Sequence, residues 1–357
     1  MKPLRVLLVD DSPSMRALIA MALSRDSRLE VVGEAGNATE ARECIRTLQP
    51  DVLTLDIEMP GMSGLDFLGR LMRMRPLPVV MVSSMTSAGS AAAVEALSLG
   101  AVDCIGKPYG PLHGGVFAGL ADKLVAAASA NLLARDYGTP AQTGPMTKPP
   151  LPVPERPGGW AGRVLLIGAS TGGVDALERV LIRFPADCPP TVIIQHMPES
   201  FLVSFTTRLD AAMAPRVVLA TEGMALKQGR IILAPGGPYH LHLQPGEVPT
   251  CRLVEGPARG GYRPSVDETF ESAVFLGSRA GAALLTGMGR DGAEGLLRLR
   301  TAGALTWAQD EATSVVWGMP RAAWEGGAAQ MLVPLGGIAD KMLEFAGSGA
   351  EAVGDVA

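Results

Sequence analysis

The stretch Leu4-Arg5-Val6-Leu7-Leu8-Val9-Asp10-Asp11-Ser12-Pro13 carries the reading of the fold. Leu4 to Val9 is a short apolar run of buried-strand length, closed by two acids. Ser12 and Pro13 then start a helix to about Ser24, because serine caps free N–H groups and proline suits the first turn. This strand-to-helix unit recurs. Strands are predicted at Val31–Gly33, Val52–Asp56, Val79–Ser83 and Val102–Ile105. Helices are predicted near Thr39–Leu48, Gly64–Arg73, Ser90–Leu99 and Leu112–Leu133. Such alternation argues an α/β fold, a parallel sheet of five strands with helices on both faces.

Working outward, prolines cluster at 140, 145, 149, 150, 152, 154 and 157, with few large apolar residues between them. That is linker composition. It divides the chain into a first domain over 1–128, a linker over 129–161, a second domain over 162–349 and a tail over 350–357. The second domain repeats the pattern on a larger scale. Strands are predicted at Arg163–Ile167, Thr191–Gln195, Ala282–Thr286 and Ala304–Ala308, with a β-rich stretch at Gly229–Ala234, Tyr239–Gln244 and Cys251–Val254. Helices are predicted at Gly172–Phe184, Glu199–Asp210, Val266–Arg279 and Ala293–Ala302, and from Pro320. The expectation is a doubly wound, mostly parallel α/β domain with an antiparallel edge or hairpin.

Composition limits function. Of 357 residues, 47% are hydrophobic and the net charge is -5, so sizeable cores are expected and nucleic acid is an unlikely partner. No apolar stretch reaches the roughly 20 residues that span a bilayer, and the N-terminal run is too short for a signal peptide. No direct membrane insertion and a cytoplasmic location are expected. The four cysteines, Cys44, Cys104, Cys188 and Cys251, lack zinc-ligand spacing and read as buried reduced thiols.

In a parallel sheet the ligand site lies at the C-terminal strand ends. There the first domain places Asp10, Asp11, Asp56, Ser83 and Lys107. Three carboxylates suit a hard cation such as Mg²⁺. One of the acids could attack a phosphoryl group, with Lys107 offsetting charge and Ser83 bonding a phosphoryl oxygen. The motifs Leu7-Leu8-Val9-Asp10-Asp11-Ser12, Leu55-Asp56-Ile57-Glu58-Met59-Pro60-Gly61 and Gly106-Lys107-Pro108 resemble a two-component response-regulator receiver of flavodoxin-like fold. The resemblance implies that Asp56 is the phosphoacceptor, that Asp10 and Asp11 hold Mg²⁺ with it, and that Ser83 and Lys107 are the switch residues. It also implies a cis peptide before Pro108.

The second domain holds Gly168-Ala169-Ser170-Thr171-Gly172-Gly173 after its first strand. This is either a nucleophile turn or a glycine-rich phosphate loop. Context favours the nucleophile. The next strand ends in His196 rather than a ribose-binding acid, and Asp291 follows a third strand. Hydroxyl, imidazole and carboxylate are the parts of a Ser-His-Asp triad, in an order unlike that of α/β-hydrolases. Backbone N–H groups near Thr171 and Met288 would form the oxyanion site. His240 and His242 point to one face and, without a third ligand, read as structural, with His240 a candidate to line the cleft.

These motifs, with Gln195-His196-Met197-Pro198, Arg263-Pro264-Ser265-Val266-Asp267 and Thr286-Gly287-Met288-Gly289-Arg290-Asp291-Gly292, resemble the chemotaxis methylesterase family CheB. Val174 departs from the proline many relatives carry there. The resemblance implies Ser170 as nucleophile, His196 as base, Asp291 as orienter and Met288 as an oxyanion donor beside Thr171. It implies demethylation of glutamyl methyl esters on chemoreceptors, glutamine deamidation, and a cleft covered by the receiver until a chemotaxis histidine kinase phosphorylates Asp56. Ester hydrolysis itself calls for no cofactor. A nucleotide-binding module and an inert phosphorylation-controlled scaffold are the rival readings; His196 at the strand end speaks against the first, and Ser170, His196 and Asp291 together against the second.

Overall fold

A computed structural model of the chain describes residues 2–84, 86–107, 117, 119–132 and 162–347. The chain divides into two compact units, Met1–Ala141 and Gln142–Ala357. The first contains β1 (Leu4–Val9), α1 (Pro13–Leu23), β2 (Leu29–Ala35), α2 (Ala38–Leu48), β3 (Val52–Asp56), α3 (Gly64–Met74), β4 (Val79–Ser83), α4 (Ser87–Leu99), β5 (Asp103–Gly106) and α5 (Leu120–Ala128). Its sheet runs in the order β2-β1-β3-β4-β5 and every pair is parallel. All five residues of β3 and all five of β4 are buried, as expected of central strands covered on both faces. Helices start where capping chemistry allows. Ser12 accepts from the Met15 N–H, Asn37 from Thr39 and Glu40, and Ser63 from Asp66.

The second unit contains β6 (Val164–Ala169), α6 (Gly173–Leu181), β7 (Thr191–Gln195), α7 (Glu199–Ala212), β8 (Arg216–Leu219), β9 (Arg230–Leu233), β10 (Tyr239–Gln244), β11 (Thr250–Glu255), α8 (Val266–Ser272), β12 (Ala280–Leu284), α9 (Ala293–Thr301), β13 (Leu305–Gln309), α10 (Met319–Glu325), β14 (Met331–Val333) and α11 (Leu335–Gly347). The sheet order β14-β13-β12-β6-β7-β9-β8 places β6 at the centre, and all its pairs are parallel. Of the two alternatives for the β-rich stretch, the hairpin forms: β10 and β11 pair antiparallel as a sheet of their own.

Three elements escape the sequence reading. The edge strands β8 and β14 are short and partly exposed, so they carry little apolar pattern. α11 opens on Leu335-Gly336-Gly337, a poor helix start, and is held by buried Leu335, Ile338, Met342 and Phe345 instead. The single helix expected over Val266–Arg279 breaks. α8 ends at Ser272, and a 3-10 segment Val274–Arg279 follows, with Gly277 at φ 54. The strand expected at Ala282–Thr286 starts and ends two residues earlier. Cys44 is only half-buried, unlike the other three thiols, and all four are free. The peptide before Pro108, residues 112–116, 118 and 133 of the last helix expected in the first domain, the linker beyond 132, and the tail over 350–357 lie outside the described residues. Among the described residues no helix is long and apolar enough to cross a membrane.

Candidate active site and acidic pocket

In the first unit, parallel register aligns the ends of β1, β3, β4 and β5. Asp10 follows β1, Asp56 ends β3, Ser83 ends β4 and Lys107 follows β5. Asp10, Asp56 and Ser83 are buried. Lys107 Nζ lies 2.8 Å from Asp56 Oδ2 and 3.1 Å from Asp10 Oδ2. The other Asp10 oxygen accepts from the Ser12 N–H at 2.9 Å. One oxygen from each of Asp10, Asp11 and Asp56 falls within 4.8 Å of the others. A single ammonium thus meets two of three clustered carboxyl groups, a donor set and charge excess that fit a hard cation. Burial pushes the Asp56 carboxyl up, and Lys107 opposes that shift while Asp10 adds to it. Burial pulls Lys107 down, but Asp56 and Asp10 outweigh it and hold the ammonium above its usual range. Ser83 Oγ donates to the Gly89 carbonyl at 2.9 Å, so its hydroxyl is engaged by the turn after β4. Gly64 stands against the end of β3: a Cβ there would come within 1.9 Å of the Asp56 carbonyl oxygen.

In the second unit, β6 and β7 are in register as far as Ala169 and Gln195, which puts Ser170 and His196 side by side where the strands end. The Gln195 side chain ties the ends together, donating to the Ser170 carbonyl at 2.8 Å. Behind Ser170, Gly172 turns at φ 77 and α6 begins, so the hydroxyl sits by a helix N-terminus. The Ser170 N–H donates to the Thr286 carbonyl at 3.0 Å. Gly287 is pressed against both sides, since a Cβ there would lie 2.7 Å from Ser170 Cβ and 2.4 Å from Met319 Sδ. Met288 therefore follows directly beside Ser170, and its N–H has no partner among the described residues. Thr171 is buried next to the serine, its carbonyl accepting from Thr286 Oγ1 at 3.0 Å.

Asp291 is the most heavily hydrogen-bonded group of the site. Oδ2 lies 2.7 Å from His196 Nε2 and accepts from the Val266 N–H at 2.7 Å. Oδ1 accepts from Ser265 Oγ at 2.8 Å and the Asp267 N–H at 3.1 Å. Burial raises its pKa, but His196 and the two backbone N–H groups overcome that and hold it at about 2. The donors sit at the first turn of α8, where Ser265 is also the cap. Seams this close exclude side chains: a Cβ on Gly168 or on Gly292 would reach 2.5 or 2.6 Å from the same Val266 Cγ1.

With Nε2 engaged by Asp291, Nδ1 is the nitrogen left to His196 for exchange with a neighbour. It is buried and has no hydrogen-bond partner, Ser170 included. An imidazole fixed by a carboxylate at one nitrogen and open at the other, beside a serine hydroxyl, can take up and return a proton. The two strand histidines brace this arrangement. His240 Nδ1 accepts from the Ser265 N–H at 3.2 Å while Nε2 pairs with the Pro257 carbonyl at 2.9 Å, and His242 Nε2 lies 2.9 Å from Glu268. Sequence reasoning assigned no role to Ser265, although a serine before Val266-Asp267-Glu268 reads as a helix cap. It missed Tyr262 altogether. That ring stacks on His196 with centroids 3.9 Å apart and planes 9° apart, and no local pattern announces it.

A parallel five-stranded unit with an acid pocket, followed by a hydrolase-like α/β unit, defines a response regulator whose output is enzymatic. The profile described as response regulator receiver domain matches residues 6–113, and that described as CheB methylesterase matches residues 165–342. A protein-glutamate methylesterase/protein-glutamine glutaminase of Rhizobium etli is 51% identical over 96% of this chain and 96% of its own length. One of the same name from Agrobacterium fabrum is also 51% identical, again over 96% of both chains. The crystal structure of the Thermotoga maritima CheB methylesterase catalytic domain superposes with a TM-score of 0.50 at 35% identity, covering 51% of this chain and 98% of that one. The chain belongs to the CheB methylesterase family and is a hydrolase.

Proposed function

We propose that the second unit hydrolyses methyl esters of glutamyl side chains on chemoreceptors, with Ser170 as nucleophile, His196 as base and Asp291 as its orienting carboxylate. The observation that carries the reading is the 2.7 Å contact between Asp291 and His196 at the strand end beside Ser170. Ser170 Oγ bonds to the ester carbonyl carbon, and its proton passes to His196 Nδ1. The oxygen that gains charge is met by the Met288 N–H and the turn at Thr171. Collapse breaks the bond to methoxide, which leaves as methanol with the proton from Nδ1. Water, deprotonated by the same nitrogen, then releases the glutamate and restores Ser170. A glutamine side chain follows the same course with ammonia as leaving group, which agrees with the names of the relatives.

The receiver supplies control. Asp56 is the phosphoacceptor for a chemotaxis histidine kinase, and Asp10, Asp11 and Asp56 would hold Mg²⁺. The chemistry that ion would supply is neutralisation of charge on the incoming phosphoryl group. Lys107 steadies the same charge, and Ser83 must leave Gly89 to reach a phosphoryl oxygen. The fit of the three carboxylates supports the assignment.

The test measures methanol release from methylated receptor membranes with the full chain, with and without a small phosphodonor. Ser170→Ala is expected to abolish release. Asp56→Asn is expected to abolish the response to the donor and leave a basal rate. Near-wild-type release by Ser170→Ala sinks the triad; a donor response that survives Asp56→Asn sinks the phosphoacceptor.

A further inference from the structure

The ring of Tyr262 covers the face of the imidazole that the reaction must charge. We infer that Tyr262 is a positioning residue for His196, one that also favours the imidazolium form; the inference rests on the triad reading above. The two rings are nearly parallel at 3.9 Å. A near-parallel stack of two neutral rings is worth only a modest amount beyond the area it buries while His196 is neutral. It gains once the imidazole carries the serine proton, because a cation over a phenol face is attracted by the ring quadrupole. The contact therefore strengthens along the reaction, and its loss falls on kcat rather than on KM.

The ring is delivered by a small fixed device. Arg259 and Tyr262 exchange backbone hydrogen bonds at 3.1 and 3.0 Å across Gly260 and Gly261, whose φ values are 59 and 91. Positive φ at both central residues is the tight hairpin turn that only small residues allow easily. The turn is moored through Arg259, which bonds Glu271 twice, at 2.8 and 2.7 Å, and reaches Glu294 at 3.3 Å. It is thereby fixed to α8 and α9, the helices on either side of Asp291. At its far end the phenol oxygen lies by Gly289: a Cβ there would be 3.3 Å from it. Tyr262 thus spans from the imidazole to the residue after Met288. A ring so held stops His196 from rotating away from the line joining Asp291 to Ser170.

The experiment compares Tyr262→Leu and Tyr262→Phe in the full chain, measuring methanol release from methylated receptor membranes. Histidine-selective NMR follows the ring protons of His196, identified among four histidines by their loss in His196→Gln. Tyr262→Leu is expected to lower kcat about three- to tenfold with KM within about twofold. It is also expected to shift the His196 ring signals downfield as the stacked ring current disappears. Tyr262→Phe is expected to restore both. Should the leucine variant melt early, Tyr262→Gln makes the same comparison. Wild-type kcat in the variant without a ring, or an equal loss in Tyr262→Phe, overturns the inference. An active Ser170→Ala overturns instead the triad reading beneath it, and the NMR shift then still reports the stack by itself.

Discussion

Replacing Asp267 by asparagine should stabilise the protein, and only at neutral to alkaline pH. Asp267 is 8% exposed and shares the first turn of α8 with the donors to Asp291. Burial raises its pKa from 3.8 to about 6, and the Asp291 charge adds to that, against a hydrogen bond from the Gly295 N–H at 2.7 Å. A carboxyl raised in the folded state contributes stability below its unfolded pKa. That stability is lost as pH rises through about 6. A rise of that size corresponds to about 3 kcal/mol, and solvent screening trims this to about 1–2 kcal/mol. Asparagine is neutral throughout, keeps a carbonyl for Gly295, and turns its amide towards Asp291 as a donor. The assay is urea unfolding followed by tryptophan fluorescence. Trp307, Trp317 and Trp324 lie in the second unit and the first carries no tryptophan, so the signal does not report the first unit. A gain of about 1–2 kcal/mol is expected at pH 8, shrinking to nothing near pH 4. A variant less stable at pH 8, or an undiminished gain at pH 4, would refute the reasoning.

Two further perturbations probe the sites directly. Asp291→Asn can accept at one oxygen only where two oxygens now serve four donors, so kcat for methanol release is expected to fall about 10²- to 10⁴-fold; a loss below tenfold contradicts the orienting role. Gly64→Ala must move its turn away from the Asp56 carbonyl. A cost of about 1–3 kcal/mol and weaker labelling by a phosphodonor are expected, read by thermal melting and by mass of the intact chain.

The first sheet was legible because its central strands are fully buried and short, bounded by acids, serines and glycines that punctuate them. Val52–Asp56 and Val79–Ser83 match the structure to the residue. The edges of the second sheet were not legible, since a three- or four-residue strand gets its place from its neighbour and not from its own pattern. Candidate site residues that end strands, such as Ser170 and His196, could be placed from alternation alone. Asp291 could be nominated but not connected: β12 stops at Leu284, and only the loop between shows which groups its oxygens accept from. Tyr262 is the clearest omission. It reaches His196 across 66 residues of sequence through a turn whose two glycines read merely as a loop.

Val266 fills the space against which both Gly168 and Gly292 are pressed. Together with Leu284, this side chain therefore sets the spacing between the strand that leads to the serine and the loop that carries the aspartate. Descent with modification must treat positions 168, 266 and 292 as a single character. A methyl group gained at either glycine would meet Leu284 as well as Val266, and at Gly292 it would also meet a left-handed backbone, so a methyl surrendered at 266 alone does not admit it.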